Sequence, residues 1–171
     1  MSIITYTDFK GEQNVAGTEN IGTRENLQTF IDKYEPKFLN ILLGSVLYQE
    51  FVSGLAVVSP ETILPKWVAL RDEFGLKEML VCYVYYWYTQ NNTTLTSGTG
   101  EVKPSNENSV AAQSWDKQVK SWNEMASMTR LFDLDTTVYP NFVRTWWRNY
   151  DYWYYGCPVN EIFYFKNTLN F

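Results

Sequence analysis

The chain has 171 residues, a formal charge of −5 and no histidine. At this length we expect one domain with its own hydrophobic core. The acidic balance argues against nucleic-acid recognition through phosphate contacts, which needs clustered Lys and Arg. The lack of His removes the commonest general base and metal ligand. The two cysteines, Cys82 and Cys157, are too few and too far apart for a disulfide framework or a zinc site, so core packing is favoured.

Residues 1–22 are polar and interrupted by glycine, with a short β-like piece at Ile3–Tyr6. They predict an extended N-terminal arm. They lack the basic region and apolar stretch of a signal peptide. The longest apolar run, Met79–Tyr88, is about half of the ~20 residues that a membrane span needs. We therefore expect a soluble protein made in a cytoplasm.

A helical block is predicted over residues 23–90. Apolar residues recur at helical spacing after Thr23, which is a plausible N-cap. Pro36 predicts a break, because proline disfavours α geometry in the preceding residue and is favoured in a first turn. Gly44 predicts a left-handed turn, after which Ser45 can cap the next helix. Three short helices with tight turns are therefore expected between residues 24 and 54.

A further short helix is expected from Pro65 to about Gly75, followed by the strongest helical pattern in the chain, Leu76–Tyr88. This second helix is apolar on nearly all sides. Such a helix is either central or packed between its own core and a neighbouring subunit. Its second face carries Cys82, Tyr85, Tyr86 and Tyr88.

Residues 91–108 are rich in Thr, Ser, Asn and Gly and predict a flexible loop with a β-hairpin. The segment Gly98–Lys103 superficially resembles a phosphate loop, but it lacks the GK[ST] ending, and a hairpin tip is favoured. Helices are expected within residues 109–156, the last from Pro140 to Gly156, and residues 157–171 predict an extended, β-prone tail. The predicted fold is mainly α: a compact single-domain bundle of about six helices, with a long hairpin-like loop and extended arms at both ends.

The sequence contains little that indicates a catalytic site. Asp133 and Asp135 suggest a calcium loop, but the turn glycine and the terminal glutamate of an EF-hand are missing. No G-x-S-x-G is present, and without His a serine nucleophile would need a lysine base. We therefore predict no catalytic residue, metal or cofactor. An enzyme that uses the carboxylates of Asp133 and Asp135 is the least favoured of the functions considered for this chain.

The densest aromatic segment is Trp146–Tyr155. It suits a sugar-stacking platform, base stacking, burial in the protein's own core, or a subunit interface, where Trp and Tyr are enriched. The acidic balance weakens base stacking, and the interface is favoured. Interface side chains are expected at Trp146, Trp147, Tyr150, Trp153, Tyr154, Tyr155, Tyr85, Tyr86, Tyr88, Thr96, Val102, Phe163 and Phe165.

The stretch Tyr34–Phe51 has the form YE-x-x-FL-x-x-LLG-x-x-LY-x-x-F. It resembles a family of small tailed-phage and prophage proteins of the Bacteroidetes type, interpreted as head–tail connectors (adaptor or head-completion proteins). The resemblance covers about residues 24–130, and the aromatic C-terminal third departs from it. Further matching segments follow in order at residues 67–71, 84–88, 91–93, 98–104, 106–109 and 122–125.

The resemblance implies a helical bundle that assembles as a ring, commonly of twelve subunits, under the portal protein. Such a ring docks onto the portal, extends its channel and offers a surface to a tail or stopper protein. DNA would pass through without sequence-specific binding, no membrane is involved, and the location would be the virion neck after assembly in the host cytoplasm. The alternative is a carbohydrate-binding module that uses Trp146–Tyr155.

Overall fold

A computed structural model describes residues 2–56, 65–72, 75–92, 95–97, 100–102, 114–130, 163 and 166. This part of the chain is mainly α, as predicted. Its helices are α1 (Ile21–Leu43), α2 (Ser45–Leu55), α3 (Pro65–Asp72), α4 (Leu76–Asn92) and α5 (Ser114–Arg130), preceded by two single 3₁₀ turns at Tyr6–Asp8 and Gly11–Gln13.

Helix α1 is continuous, so the predicted break at Pro36 is wrong. The helix also begins earlier than expected, because the Asn20 side chain, and not Thr23, caps it by accepting a 2.8 Å hydrogen bond from the N–H of Gly22. Pro36 has no N–H to pair with the carbonyl of Asp32. Both residues lie on the exposed side of α1, where water can hydrate that carbonyl.

The opposite side of α1 explains why the helix continues. An internal proline costs about 3 kcal/mol, whereas each fully buried large apolar side chain contributes about 1.5–3 kcal/mol. Helical geometry across Pro36 keeps one apolar stripe in register, and the summed burial exceeds the cost of the proline. The buried residues of α1 are Leu27, Ile31, Tyr34, Glu35, Phe38, Leu39, Leu42 and Leu43.

The turn between α1 and α2 lies at Gly44, as the sequence predicts. Gly44 has φ +76° and ψ 162°, a conformation that is essentially restricted to glycine. Its N–H donates to the carbonyl of Asn40, and its own carbonyl accepts from Tyr48 at the start of α2, both at 3.0 Å. Helix α2 then buries side chains four residues apart, Leu47, Phe51 and Leu55.

The N-terminal segment is not the extended arm that the sequence predicts. Ile4, Phe9 and Val15 are buried in the core. The second 3₁₀ turn lies against α5, where Glu12 pairs with Lys120 at 2.6 Å and Gln13 donates to Glu124 at 2.8 Å. The three apolar residues are widely spaced and follow no helix or strand period, so the sequence pattern did not reveal their burial.

Helix α4 is the centre of the described fold and packs against α1, α3 and α5. This agrees with its apolar pattern, because a helix surrounded on several sides needs no polar face. On α5, Val119 and Met125 are buried and Lys117 is exposed. The buried residues of α4 are Leu76, Met79, Leu80, Val81, Cys82, Tyr83, Val84, Tyr85 and Tyr86.

Residues 95–97 and 100–102 pair as two antiparallel strands of three residues, β1 and β2, with Leu95 opposite Val102. The longer hairpin-like loop over 91–108 remains a prediction. The predicted helix from Pro140 to Gly156 lies outside the described residues. The tail 157–171 lies outside them too, apart from two positions.

Candidate functional site: an aromatic dock between α1, α4 and α5

The aromatic side chains of three helices meet around Tyr83, in the middle of α4. The Tyr83 ring centroid lies 5.0 Å from that of Phe38 on α1 and 6.0 Å from that of Trp122 on α5. Aromatic pairs at such separations contribute about 0.5–1.5 kcal/mol each beyond their area burial. Tyr83 is buried, so the three rings join the helices at the core.

Helical spacing places the other rings of α4 beside Tyr83. Tyr86 and Trp87 follow it by three and four residues, so the three side chains share one side of the helix. Tyr86 lies 4.8 Å from Trp122, centroid to centroid, and Trp87 stacks on Tyr34 of α1 at 5.1 Å and 4°. The aromatic surface therefore extends from α1 across α4 to α5.

Phe163 occupies the space between these helices. Its ring centroid lies 5.5 Å from that of Phe38, 6.0 Å from that of Tyr83 and 5.8 Å from that of Trp122. The Phe163 side chain is buried. A residue far beyond α5 in the sequence thus contacts three helices at once.

Lys166 follows Phe163 and lies against two aromatic faces. Its ammonium nitrogen is 4.1 Å from the ring centroid of Tyr86 and 4.2 Å from that of Trp122. It also donates a hydrogen bond to the Tyr86 hydroxyl. Cation–π contacts of this kind contribute about 0.5–1 kcal/mol when exposed and about 2 kcal/mol when desolvated. Lys166 is half-buried. Two aromatic rings and a hydroxyl contact its charged group.

Asn123 holds the main chain of the same residue. Its Oδ1 accepts the N–H of Lys166 at 2.8 Å, and its Nδ2 donates to the carbonyl of Lys166 at 3.0 Å. The side-chain amide therefore imitates the donor and acceptor of a neighbouring strand. We call Phe38, Tyr83, Tyr86, Trp122 and Asn123 the dock, and Phe163 with Lys166 the C-terminal plug.

A second site holds the N-terminal segment through Glu35 of α1. Its carboxylate accepts the N–H of Ile3 at 2.9 Å, the N–H of Ile4 at 3.1 Å and the hydroxyl of Ser2 at 2.9 Å. Glu35 is only 5% exposed. Burial raises the pKa of Glu35 above its ordinary value, and the hydrogen bonds from Ile3 and Ile4 oppose that shift.

A cavity of about 220 Å³ adjoins Glu35, between α1 and α2. Its walls are largely apolar and include Leu39, Val52 and Leu55. The volume is below the roughly 300–1,000 Å³ of ordinary small-molecule pockets. The Glu35 site is therefore better suited to holding a chain segment than to binding a substrate.

Cys82 is not an activated nucleophile. Burial, and then the nearby Glu124 carboxylate, raises the pKa of its thiol to about 12, so the thiol is neutral near pH 7 and unreactive. Within the described residues, no three His, Cys, Asp or Glu side chains gather into a metal site. None of the helices described is long and apolar enough to cross a membrane.

Three of the predicted interface residues are buried within this chain. Tyr85, Tyr86 and Phe163 are 6%, 3% and 5% exposed, because neighbouring elements cover the face of α4 that the sequence pattern left free. Tyr88 is half-buried, with its ring centroid 5.3 Å from that of Phe30. Thr96 lies on β1 and Val102 on β2. Outside the described residues lie Trp146, Trp147, Tyr150, Trp153, Tyr154, Tyr155 and Phe165, and also Asp133 and Asp135.

The sequence reading missed the polar residues that hold the two chain segments. Glu35 follows Tyr34 and is buried with the apolar side chains of α1. Its position beside Tyr34 in a predicted helix was the only sign of this burial in the sequence. Asn123 and Lys166 carry no signal in their spacing, because their contact depends on how the tail returns to α5.

No protein-family model matches this chain, and no curated protein or solved structure matches it either.

Proposed function

We propose that this protein is a structural virion protein, a head–tail connector subunit of a tailed phage. It assembles as a ring on the portal and extends the DNA channel toward the tail. The observation that carries the proposal is the ordered motif Tyr34–Phe51, with its matching segments up to about residue 125. In the fold this motif comprises the second half of α1, the Gly44 turn and the first two turns of α2.

The packing of the motif supports a scaffold role. Its apolar positions form one side of a rigid α1–α2 corner, and its turn residue Gly44 adopts a conformation that other residues avoid. A ring of identical subunits needs two different faces held at a constant angle, because its contacts are heterologous. A rigid helical corner meets that need. The motif residues buried in this way are Tyr34, Phe38, Leu39, Leu42, Leu43, Leu47 and Phe51.

The charge of the chain suits a conduit. A net charge of −5 repels phosphates and keeps passing DNA from adhering. The proposed partners are further copies of this chain, in a ring of twelve, the portal protein, and a tail or stopper protein. We propose no catalytic step, no cofactor and no membrane association, and a location in the virion neck after assembly in the host cytoplasm.

The proposed function includes two finer features of the fold. We infer a sixth helix from Pro140 to Gly156 and a hairpin-like loop over 91–108. The aromatic residues of Trp146–Tyr155 would then form the subunit interface, where Trp and Tyr are favoured. Helical spacing and turn residues in the sequence support both features.

The proposal is tested by the size and shape of the purified chain. Light scattering and electron microscopy, with and without the portal protein of the same phage, should show rings that bind the portal. A strict monomer without affinity for the portal would contradict the proposal. The substitution Trp153→Ser changes the aromatic segment. Val46→Ser, at an exposed position of α2, is its matched control.

The alternative is a carbohydrate-binding module, favoured by the density of aromatic residues in Trp146–Tyr155. Titration with oligosaccharides would then quench the tryptophan fluorescence in a saturable way. The connector proposal predicts no saturable quenching.

A further inference from the structure

We propose that the cavity between α1 and α2 receives the side chain of a lysine from a partner protein. The cavity has a volume of about 220 Å³, and both apolar side chains and carboxylates line it. This inference goes beyond the connector proposal and does not depend on it, because the site lies within one chain and is tested on that chain alone.

The apolar part of the cavity fits the hydrocarbon stem of a lysine. Ile31, Leu39 and Leu55 line the cavity and are buried, so they form its inner wall. Pro36 and Val52 also line it but are exposed, so the cavity opens to the protein surface beside them. Lysine readily buries its four-carbon stem along apolar surface while its ammonium group keeps polar partners.

The polar part of the wall offers three hydrogen-bond acceptors from one turn of α1. Asp32 accepts a 2.8 Å bond from Gln28 on Oδ1, and none of the described residues pairs with its Oδ2. The carbonyl of Asp32 has no helical partner, because Pro36 lacks an N–H. Oε1 of Glu35 accepts only the N–H of Ile3 among the described residues, so one of its lone-pair positions is left. A lysine ammonium has three N–H donors to match these acceptors.

The charge of the lining favours a cation. Asp32 and Glu35 line the cavity, whereas no Lys or Arg is among the described residues that do so. The neighbouring lysines of α1, Lys33 and Lys37, place their ammonium nitrogens 5.0 and 6.0 Å from the ring centroid of Tyr34, which is not part of this lining. The positive charge that complements the cavity therefore comes from an occupant, and an anionic group would be repelled.

The size of the cavity indicates one side chain. Its volume lies below the roughly 300–1,000 Å³ of pockets that hold drug-sized ligands. Lysine presents a compact ammonium with three donors, whereas the guanidinium of arginine presents five donors in a wider planar fork. Three acceptors satisfy the first group and not the second. The surface of the partner would then cover the exposed rim at Pro36 and Val52.

The test titrates the full ¹⁵N-labelled chain with capped tripeptides whose middle residue is lysine, arginine or norleucine. Norleucine keeps the apolar stem without the charge. The amide NMR signals of Ile3 and Ile4, which donate to Glu35, report binding at the cavity. We expect saturable shifts with the lysine peptide and roughly fivefold weaker binding of the norleucine peptide.

Several results of this titration would overturn the inference. These are equal binding of the lysine and norleucine peptides, tighter binding of the arginine peptide, or no saturable shift with the lysine peptide. Tighter binding of n-butylammonium than of the lysine peptide would also overturn it, because the cavity would then belong to a free amine and not to a partner protein.

Two pairs of variants locate the binding. Asp32→Asn removes one charge at nearly constant size, so the lysine peptide should bind roughly threefold to fivefold more weakly. Its control is Glu25→Gln, which removes a charge from an exposed position of α1 outside the cavity. Val52→Phe narrows the mouth and should weaken binding by roughly tenfold or more. Its control is Val46→Phe, at a position that is 58% exposed and outside the cavity.

Equal binding by a variant and its control would overturn the inference for either pair. The pair at Asp32 does not depend on the pair at Val52, so a Val52→Phe chain that fails to fold leaves the test intact.

Discussion

The carboxylate of Glu35 lies 3.1 Å from the backbone nitrogen of Ile4, across 31 residues of sequence. The same carboxylate accepts the N–H of Ile3, so one buried side chain on α1 holds the main chain of the N-terminal segment. These hydrogen bonds and the burial of Ile4 together make the segment part of the core.

Replacing Glu35 with Ala should lower the free energy of unfolding by about 2–4 kcal/mol, because two backbone N–H groups then lose their acceptor in a poorly hydrated place. Glu35→Gln keeps one acceptor oxygen and should lose less. Chemical denaturation of both variants measures the difference. Equal stability of Glu35→Ala and wild type would show that the segment is held by its apolar residues alone. Glu25→Ala, at an exposed position of α1, is the control.

The pH dependence of stability should change when Glu35 cannot ionise. Burial raises the pKa of the folded-state carboxyl above its ordinary value of 4.5, so the folded chain binds this proton more tightly than the unfolded chain. The contribution of Glu35 to stability is therefore fully present below about pH 4.5 and decreases as the pH rises through the folded-state pKa. The stability of wild type relative to Glu35→Gln should decrease over that pH range, as measured by denaturant titrations between pH 4 and 7. A constant difference would contradict the raised pKa.

Pro36→Ala should stabilise the protein. Alanine restores an N–H to pair with the carbonyl of Asp32 and removes a residue that costs about 3 kcal/mol inside a helix. Because proline also restricts the unfolded chain, we expect a net gain of about 1–2 kcal/mol in the free energy of unfolding. Calorimetry measures it, with Asn40→Ala at another exposed position of α1 as control. No gain would show that the restriction of the unfolded chain by proline offsets its cost inside the helix.

Gly54→Ala should destabilise the packing of α2 on α3. A methyl group at this position would overlap the indole of Trp67, which is buried, so the indole or one of the two helices must shift. Overpacking of this kind costs about 1–3 kcal/mol. Thermal unfolding measures the loss, and the exposed neighbour Ser53→Ala is the control. A neutral Gly54→Ala would show that Trp67 has room to move.

Local patterns predicted most of the helices. The apolar periodicity of α4, the steps of four in α2 and the Gly44 turn all follow from residue types that act within one or two turns. Pro36 misled the prediction because its local effect is outweighed by burial, which is a property of the whole stripe of α1. The N-terminal segment was misread for a related reason: its three apolar residues follow no period and become informative only when they reach the core.

The candidate site depends on contacts between residues that lie far apart in the sequence, and no local pattern predicts such contacts. The sequence by itself determined the helical class, the apolar pattern of α4 and the Gly44 turn between α1 and α2, because these depend on neighbours along the chain. Tertiary structure decided that Tyr85 and Tyr86 are covered, that Glu35 holds Ile3 and Ile4, and that Asn123 holds Lys166. These contacts join residues 31 to 43 positions apart. The path of the whole chain brings such distant residues together. Hydrogen bonds between the polar groups that are then within reach stabilise the contacts.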